Sequence, residues 1–221
     1  MATKYKKTRN AYLNCEKYMF SGCGRWRIPE LKPETADFED TVPLGFNLAI
    51  RAKRPEDTLC HFYLDDYQFA RVWDNPDRYL RILRNFRVVL QPDFSLYDDF
   101  PPAVNLFNHY RKQWLGAYWQ LFGVRVIPTI CWAEPESYEY CFEGVPRHAT
   151  VSISTVGGFK NEKTKEGWMD GYRKCLEVLQ PEHILLFGEK HPGIDFDGKL
   201  TVIQNRIIAT LKEKEKKPNG S

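Results

Sequence analysis

The sequence predicts an α/β protein built on a mainly parallel sheet, and three observations support that class. Short apolar runs alternate with amphipathic helical stretches at least five times along the chain, the pattern of βαβ units. The run at 59–64 is apolar over most of its length, as expected of a buried strand. No internal repeat or low-complexity linker divides the 221 residues, so one domain of five or six βα units is expected, with right-handed crossovers. Two architectures satisfy this pattern. One is an open, doubly wound sheet; the other is an incomplete, barrel-like βα array, because six units fall short of the eight of a closed barrel.

Residues 1–45 carry no clean period and are broken by Pro29, Pro33 and Pro43. They read as an irregular basic lead-in packed on the body, with a single α/β domain over 46–205. The first strand is read at 59–64, ending in Asp65 and Asp66. Asn75-Pro76-Asp77 opens a helix whose apolar side is Tyr79, Leu80, Ile82, Leu83 and Phe86. A second strand at 88–90 stops at Gln91-Pro92-Asp93. Pro101-Pro102 starts the longest helix, with Val104, Phe107, Trp114, Tyr118 and Leu121 on one face and Gly123 at its end. A third strand runs over 124–132 with Pro128 inside it, followed by a short helix at 137–142. Strands at 150–154 and 184–187 flank a helix carrying Trp168, Tyr172, Cys175, Leu176 and Leu179. A sixth strand is read at 200–203, and a C-terminal helix with a basic tail over 206–221.

Composition excludes several classes. Hydrophobic residues make up 43% of the chain and aromatics 14%, which is incompatible with intrinsic disorder. No apolar run reaches the roughly 18–20 residues of a membrane span, and no apolar signal segment follows the charged N-terminus. Net charge is +3, but residues 1–33 carry +6, residues 206–221 carry +3 and the middle carries −6. Basic ends on an acidic body suggest an anionic partner; solubility is the plainer explanation. The six cysteines form no CxxC pair. Cys60, Cys131 and Cys175 lie in apolar stretches and read as small core residues. Cys15 and Cys23 have no histidine nearby, which argues against zinc.

Parallel α/β sheets place ligands at the carboxyl ends of their strands. The residues there are Asp65 and Asp66, then Asp93 and Ser95, then Trp132 and Glu134, then Ser154, Thr155 and Gly157, then Gly188 and Glu189. Such an acidic rim can bind a divalent cation or supply carboxylates for acid/base work. Singly, each Asp is equally well explained as a turn or cap residue. The turn from Ser154 to Gly158 is small and flexible enough to cradle an anion, although it is neither a Walker A loop nor GxGxxG. On the long helix, Arg111 is placed to meet the acidic rim or a phosphate. His109 and His61 read as packed histidines.

The run His61-Phe62-Tyr63-Leu64-Asp65-Asp66-Tyr67-Gln68-Phe69 is followed by Trp73-x-Asn75-Pro76. Then come Pro92-Asp93-Phe94-Ser95-Leu96-Tyr97, Val126-Ile127-Pro128 with Trp132, Gly144-Val145-Pro146, Ser152-Ile153-Ser154-Thr155-x-Gly157 and Leu185-x-Phe187-Gly188. This ordered series resembles a family of bacterial and phage- or plasmid-encoded proteins catalogued as a domain of unknown function. The resemblance implies a phage or mobile-element context, and hence the cytoplasm of a bacterial host, but no assigned reaction and no catalytic residue.

Two functional expectations follow. The first is an enzyme, a hydrolase or transferase acting on the phosphate of a nucleotide or nucleic acid. Asp65, Asp66 and Asp93 would bind a divalent metal ion, magnesium or manganese, or act with Glu134 as general acid and base. Ser154, Thr155, Gly157 and Gly188 would hold phosphate, Arg111 would neutralise charge, and Tyr97 or Trp132 would stack on a base. The second is a non-catalytic accessory protein that binds a host protein or small ligand through Tyr63, Tyr67, Trp73 and Tyr97.

Overall fold

The computed structural model describes residues 13–34, 38 and 40–203. The basic stretch 1–12 and the C-terminal segment read as a helix and tail lie outside the described residues. Among the described residues there are eight strands: β1 (Val42–Gly45), β2 (Thr58–His61), β3 (Val88–Leu90), β4 (Val126–Ile127), β5 (Thr129–Ile130), β6 (Thr150–Ser154), β7 (His183–Phe187) and β8 (Lys199–Ile203). They form two parallel ladders, β1-β2-β3-β4 and β5-β6-β7-β8. Pro128 separates β4 from β5. It has no N–H to donate, but its carbonyl accepts from Ser152 N at 2.8 Å, so the second ladder continues where the first stops. The helices are α1 (Arg71–Asp74), α2 (Pro76–Leu83), α3 (Pro102–Leu121) and α4 (Glu162–Leu179), with short 3-10 turns between.

Strand order follows the chain without a skip, so there is no switch point of the doubly wound kind. The sheet is rolled instead. Three strand positions lie between β2 and β7, which in a flat sheet would put them about 19 Å apart at 4.7–4.9 Å per step. Yet the rings of His61 and Phe187 have centroids 4.7 Å apart, and Tyr63, just past β2, stacks on Phe187 at 4.6 Å. The Tyr63 hydroxyl also meets Ser152 Oγ of β6 at 2.7 Å. Among the described residues no ladder joins β8 to β1, so the roll is not a closed barrel.

Side-chain alternation explains why the central strands are apolar on both faces. Leu59, Val88, Leu90, Ile127, Leu185, Phe187 and Ile203 fill the inside of the roll with Phe38. Their neighbours Cys60, Val89 and Val126 face an outer core with Phe62, Phe69, Trp73, Trp114 and Trp119. Ile184 and Leu186 face a second outer core with Trp168, Tyr172 and Cys175 of α4. Capping is explicit at α4, where Asn161 accepts from Thr164 N at 3.0 Å and Thr164 Oγ1 accepts from Asn161 N at 3.1 Å, a reciprocal N-terminal box.

Four local expectations change. Val42–Gly45, inside the stretch read as irregular, is a strand because it pairs in register with Thr58–His61. The helix read from Asn75 is preceded by the four-residue α1, and Asn75 at φ −135° breaks the two apart. The short helix at 137–142 is a 3-10 turn, Pro135–Glu139. On α3, Val104, Phe107 and Leu121 are exposed; the face that turns inward over the first half of the helix is polar.

The lead-in docks through Ile28 and Leu31, both buried, and through Leu31 N to Gly144 O at 2.8 Å. A Cβ on Gly144 would sit 2.3 Å from Pro29 O, so only glycine permits this approach. Lys17 pairs with Asp77, and Arg25 with Glu139 at 2.5 Å. Part of the basic head therefore neutralises the acidic body of its own chain.

The roll predicts coupling between β2 and β7. A double-mutant cycle of His61→Ala and Phe187→Ala, read by urea unfolding, should give an interaction energy of about 0.5–1.5 kcal/mol. Strict additivity of the two substitutions would mean that these strands do not meet.

Candidate active site

The site is built from α3. Pro102 at the first helical position pre-sets its entry. Asn105, Asn108, His109 and Lys112 then recur at three- and four-residue spacing, and all four are buried. The stripe faces the carboxyl ends of β3 and β5. Asn108 Nδ2 donates to Ser95 O at 2.7 Å, and Asn105 exchanges hydrogen bonds with the backbone of Tyr97. His109 Nε2 lies 3.0 Å from Glu143 O. Gln91, at the end of β3, donates to Lys112 O at 2.9 Å and Gln113 Oε1 at 3.2 Å. The stripe thus fixes the loop after β3 and holds α3 against the strand ends.

At the centre Lys112 is fully buried, and its ammonium donates to Cys131 Sγ at 3.1 Å. Cys131 follows β5 directly and is half-buried, as is Asp93 beyond β3. The Cys131 thiol donates to Phe94 O at 3.7 Å, and the Asp93 carboxyl lies close enough to interact with it electrostatically. Asp93 Oδ1 is sealed from solvent and accepts no hydrogen bond.

Electrostatics follow from this placement. Burial pushes the Asp93 carboxyl up to about 6, against the pull of Lys112 and Cys131 and aided by Asp66. Burial would lower Lys112, but Cys131 and Asp93 together hold it above its ordinary value. Burial raises the Cys131 thiol to about 12, with Lys112 opposing. Tyr63 is raised by burial and by Asp93. The resting site at neutral pH is therefore an ammonium, a carboxylate and a neutral thiol. A buried ammonium and carboxylate are costly to desolvate, and perturbed groups of this kind cluster at functional sites.

The anticipated residues distribute unevenly. Asp93 lies at the centre. Asp66 lies beside it, but its carboxylate is engaged by Ser95, accepting from Oγ at 2.8 Å and from N at 3.2 Å. Asp65 is exposed and accepts from Gln68 Nε2 at 3.3 Å. Glu134 is exposed at the cap of the 3-10 turn. Arg111 stacks over Phe94, its guanidinium 3.6 Å from the ring centroid. Trp132 is clamped against α4, where a Cβ on Gly171 would come within 2.1 Å of its Nε1. Ser154 Oγ accepts from Val156 N at 3.1 Å, and Gly158 N donates to Thr155 O at 3.2 Å; two amides of the anticipated anion turn are thus satisfied within it. Gly157 has φ +87° and Gly188 φ +112°. Thr155 Oγ1 accepts from Glu189 N at 3.0 Å, and a Cβ on Gly188 would lie 2.5 Å from that hydroxyl, so this contact locks the ends of β6 and β7 together.

Among the described residues, no three His, Cys, Asp or Glu side chains gather as a metal site would require. The four-ring aromatic surface also divides. Tyr67 and Tyr97 are exposed, but Trp73 is buried against Trp114 and Phe107, and Tyr63 is turned into the roll. A separate cavity of about 280 Å³, lined by residues including Val42, Leu44, Arg51 and Thr58, lies at the amino ends of β1 and β2.

Two residues were missed in sequence. Lys112 and Cys131 each looked ordinary, one a charge on a helix and the other a small residue in an apolar run. The readable signal was the polar stripe Asn105, Asn108, His109, Lys112, with the same helical spacing as a core face.

The chain belongs to the family described as Domain of unknown function (DUF4417), whose model matches residues 20–205. It is 36% identical over 181 residues to the Gene 1 protein of Mycobacterium phage L5, covering 80% of this chain and 78% of that protein. It is 36% identical over 169 residues to the Gene 1 protein of Mycobacterium phage D29, covering 76% of this chain and 63% of the relative. The match thus spans less than two thirds of the D29 protein. No solved structure matches. The relatives establish a phage-associated family. Among the described residues no helix is long and apolar enough to cross a membrane.

Acid sensitivity follows from the buried rings. Burial lowers His61 to about 4 and His109 to about 3, the latter with help from Lys112. Below the ordinary value of 6.5 the unfolded chain binds protons that these folded rings refuse, so each ring removes about 1.4 kcal/mol of stability per pH unit as pH falls toward its folded value. Asp93 acts oppositely between about 6 and 3.8, where the folded state binds the extra proton. Unfolding free energy should therefore fall on going from pH 7 to pH 5, and His61→Leu should remove part of that fall. A flat profile from pH 7 to pH 5 would contradict the neutral, buried state of both rings.

Proposed function

We propose that this phage-associated protein is an enzyme whose active site is the strand-end cluster of Asp93, Lys112 and Cys131, with a nucleotide-type anion as substrate. The observation that carries the reading is a fully buried ammonium beside a half-buried carboxyl and a half-buried thiol, at the end of a parallel sheet where α/β enzymes place their sites. Asp93 is the proton-transfer group, because its value near 6 lets it accept and return a proton near neutral pH. Lys112 is a fixed positive charge, positioned before the reaction and at no reorganisation cost during it. Tyr97 and Tyr67, exposed on the loops beyond β3 and β2, offer rings on which a base can stack.

This reading shifts the role first expected of a divalent metal. Asp66 and Asp65 already bind Ser95 and Gln68, and an added cation at Asp93 would meet the charge of Lys112. The positive charge of the site comes from the chain itself.

Two measurements test the proposal. Mononucleotides should raise the melting temperature of the native chain without added magnesium or manganese, and Lys112→Met should abolish the rise. A rise that strictly requires the metal would return the site to metal chemistry, and no rise with any nucleotide would remove that substrate class. In parallel, Asp93→Asn alone should lower the unfolding free energy by removing the charge that offsets buried Lys112, whereas the double variant with Lys112→Met should recover most of that loss. Recovery of stability without nucleotide binding would show that the charges serve a site and not the fold.

A further inference from the structure

We propose that Cys131 is the nucleophile of this site and that the reaction is hydrolysis of a carbonyl carbon–nitrogen bond, as in a carboxamide, through a thioester. The inference rests on the active-site reading above and adds a covalent step to it.

Three features single out this thiol. It is half-buried at a strand end, whereas Cys60, Cys141 and Cys175 are buried. It lies between the Asp93 carboxyl, which acts on it electrostatically, and an ammonium 3.1 Å from its sulfur. A neutral sulfur is also a weak acceptor, so it leaves a buried ammonium poorly satisfied. The interaction strengthens once negative charge develops on sulfur or on an adjacent oxygen. Lys112 is thus complementary to a charged transition state more than to the resting thiol.

Cys131 Sγ attacks the carbonyl carbon as its proton passes to the Asp93 carboxylate, forming the C–S bond and a tetrahedral oxyanion beside the Lys112 ammonium. The oxyanion collapses, the C–N bond breaks, and Asp93 returns the proton to the leaving nitrogen, which departs as the amine or ammonia. Water then attacks the thioester with its proton passing to Asp93. The C–S bond breaks, the thiol recovers a proton, and the acid is released. Neither an oxidant nor a metal is consumed.

The probe is p-nitrophenyl acetate, an activated acyl donor, given to the full chain. Liberated nitrophenol is followed optically, and the acetylated residue is mapped by peptide mass spectrometry. The expected result is acetylation at Cys131 in preference to the half-buried Cys15 and Cys23, followed by turnover. Cys131→Ser should abolish the Cys131 adduct, and Asp93→Asn should slow its formation by about 10²-fold. In the native chain the rate should rise with pH through about 6, the Asp93 range, and not first near the thiol's own range. The charged and titratable groups around Asp93 are Lys112, Cys131, Asp66 and Tyr63, with His109 beside Lys112; the Asp93 carboxyl, raised to about 6, changes state just below neutral pH. The native profile keeps the test valid where Asp93→Asn fails to fold. Acetylation confined to Cys15 or Cys23, or a Cys131 rate indifferent to pH around 6, overturns the inference. If Cys131 is inert while Lys112→Met still abolishes nucleotide binding, only the covalent step fails; if binding is absent as well, the active-site reading fails with it.

Discussion

Everything in this fold depends on the parallel sheet being rolled around Phe187. In a flat sheet the end of β7 and the end of β2 would be strangers. Here His61 and Tyr63 both pack on the Phe187 ring, and Tyr63 reaches across to Ser152 of β6. Rolling turns a straight sheet edge into a mouth. The loops after β2 and β3 then meet, with Ser95 on Asp66, and the residue after β5 meets α3, with Lys112 on Cys131. The consequence is that the central strands β2, β3, β4 and β7 carry apolar side chains on both faces, so the inner and outer cores share the same short runs.

Within that mouth, α3 imposes the second constraint. Its inward polar stripe could have been apolar at no loss to packing, and a buried ammonium is seldom the stable choice. Neighbouring polar groups are held by fixed partners, Asn108 to Ser95, Asn105 to Tyr97 and Gln91 to the backbone of Lys112, while Asp93 Oδ1 is left without one. These contacts hold the β3 loop so that Asp93 faces Lys112 and Cys131. The lead-in adds support from outside, with Ile28 and Leu31 seated beside Gly144 and Glu143 carrying the carbonyl that meets His109.

Much of the fold was legible because it depends on local pattern. Short apolar runs closed by Asp65, Gln91 or Gly188 mark strands whatever the tertiary context. The choice between an open and a rolled sheet was not legible, because it rests on Phe187 meeting His61 across strands separated by well over a hundred residues. β1 was hidden because Pro43 and Gly45 look like loop residues, and only pairing with β2 makes them a strand. Of the site, Asp93 was legible by position after a strand. Lys112 was not, because burial of a lysine depends on what surrounds its helix. Cys131 was read as core for the same reason: its neighbours in sequence are apolar, and its partners in space are not.

The central claim is that Asp93, Lys112 and Cys131 form one coupled, partly enclosed site. The most direct test is a carbon-13 NMR titration of the Asp93 carboxyl in the full chain, repeated in Lys112→Met. The account predicts a midpoint near 6 in the native chain and a higher one once the ammonium is removed, because burial then acts unopposed. A native midpoint at the ordinary 3.8, unmoved by the loss of Lys112, would contradict it.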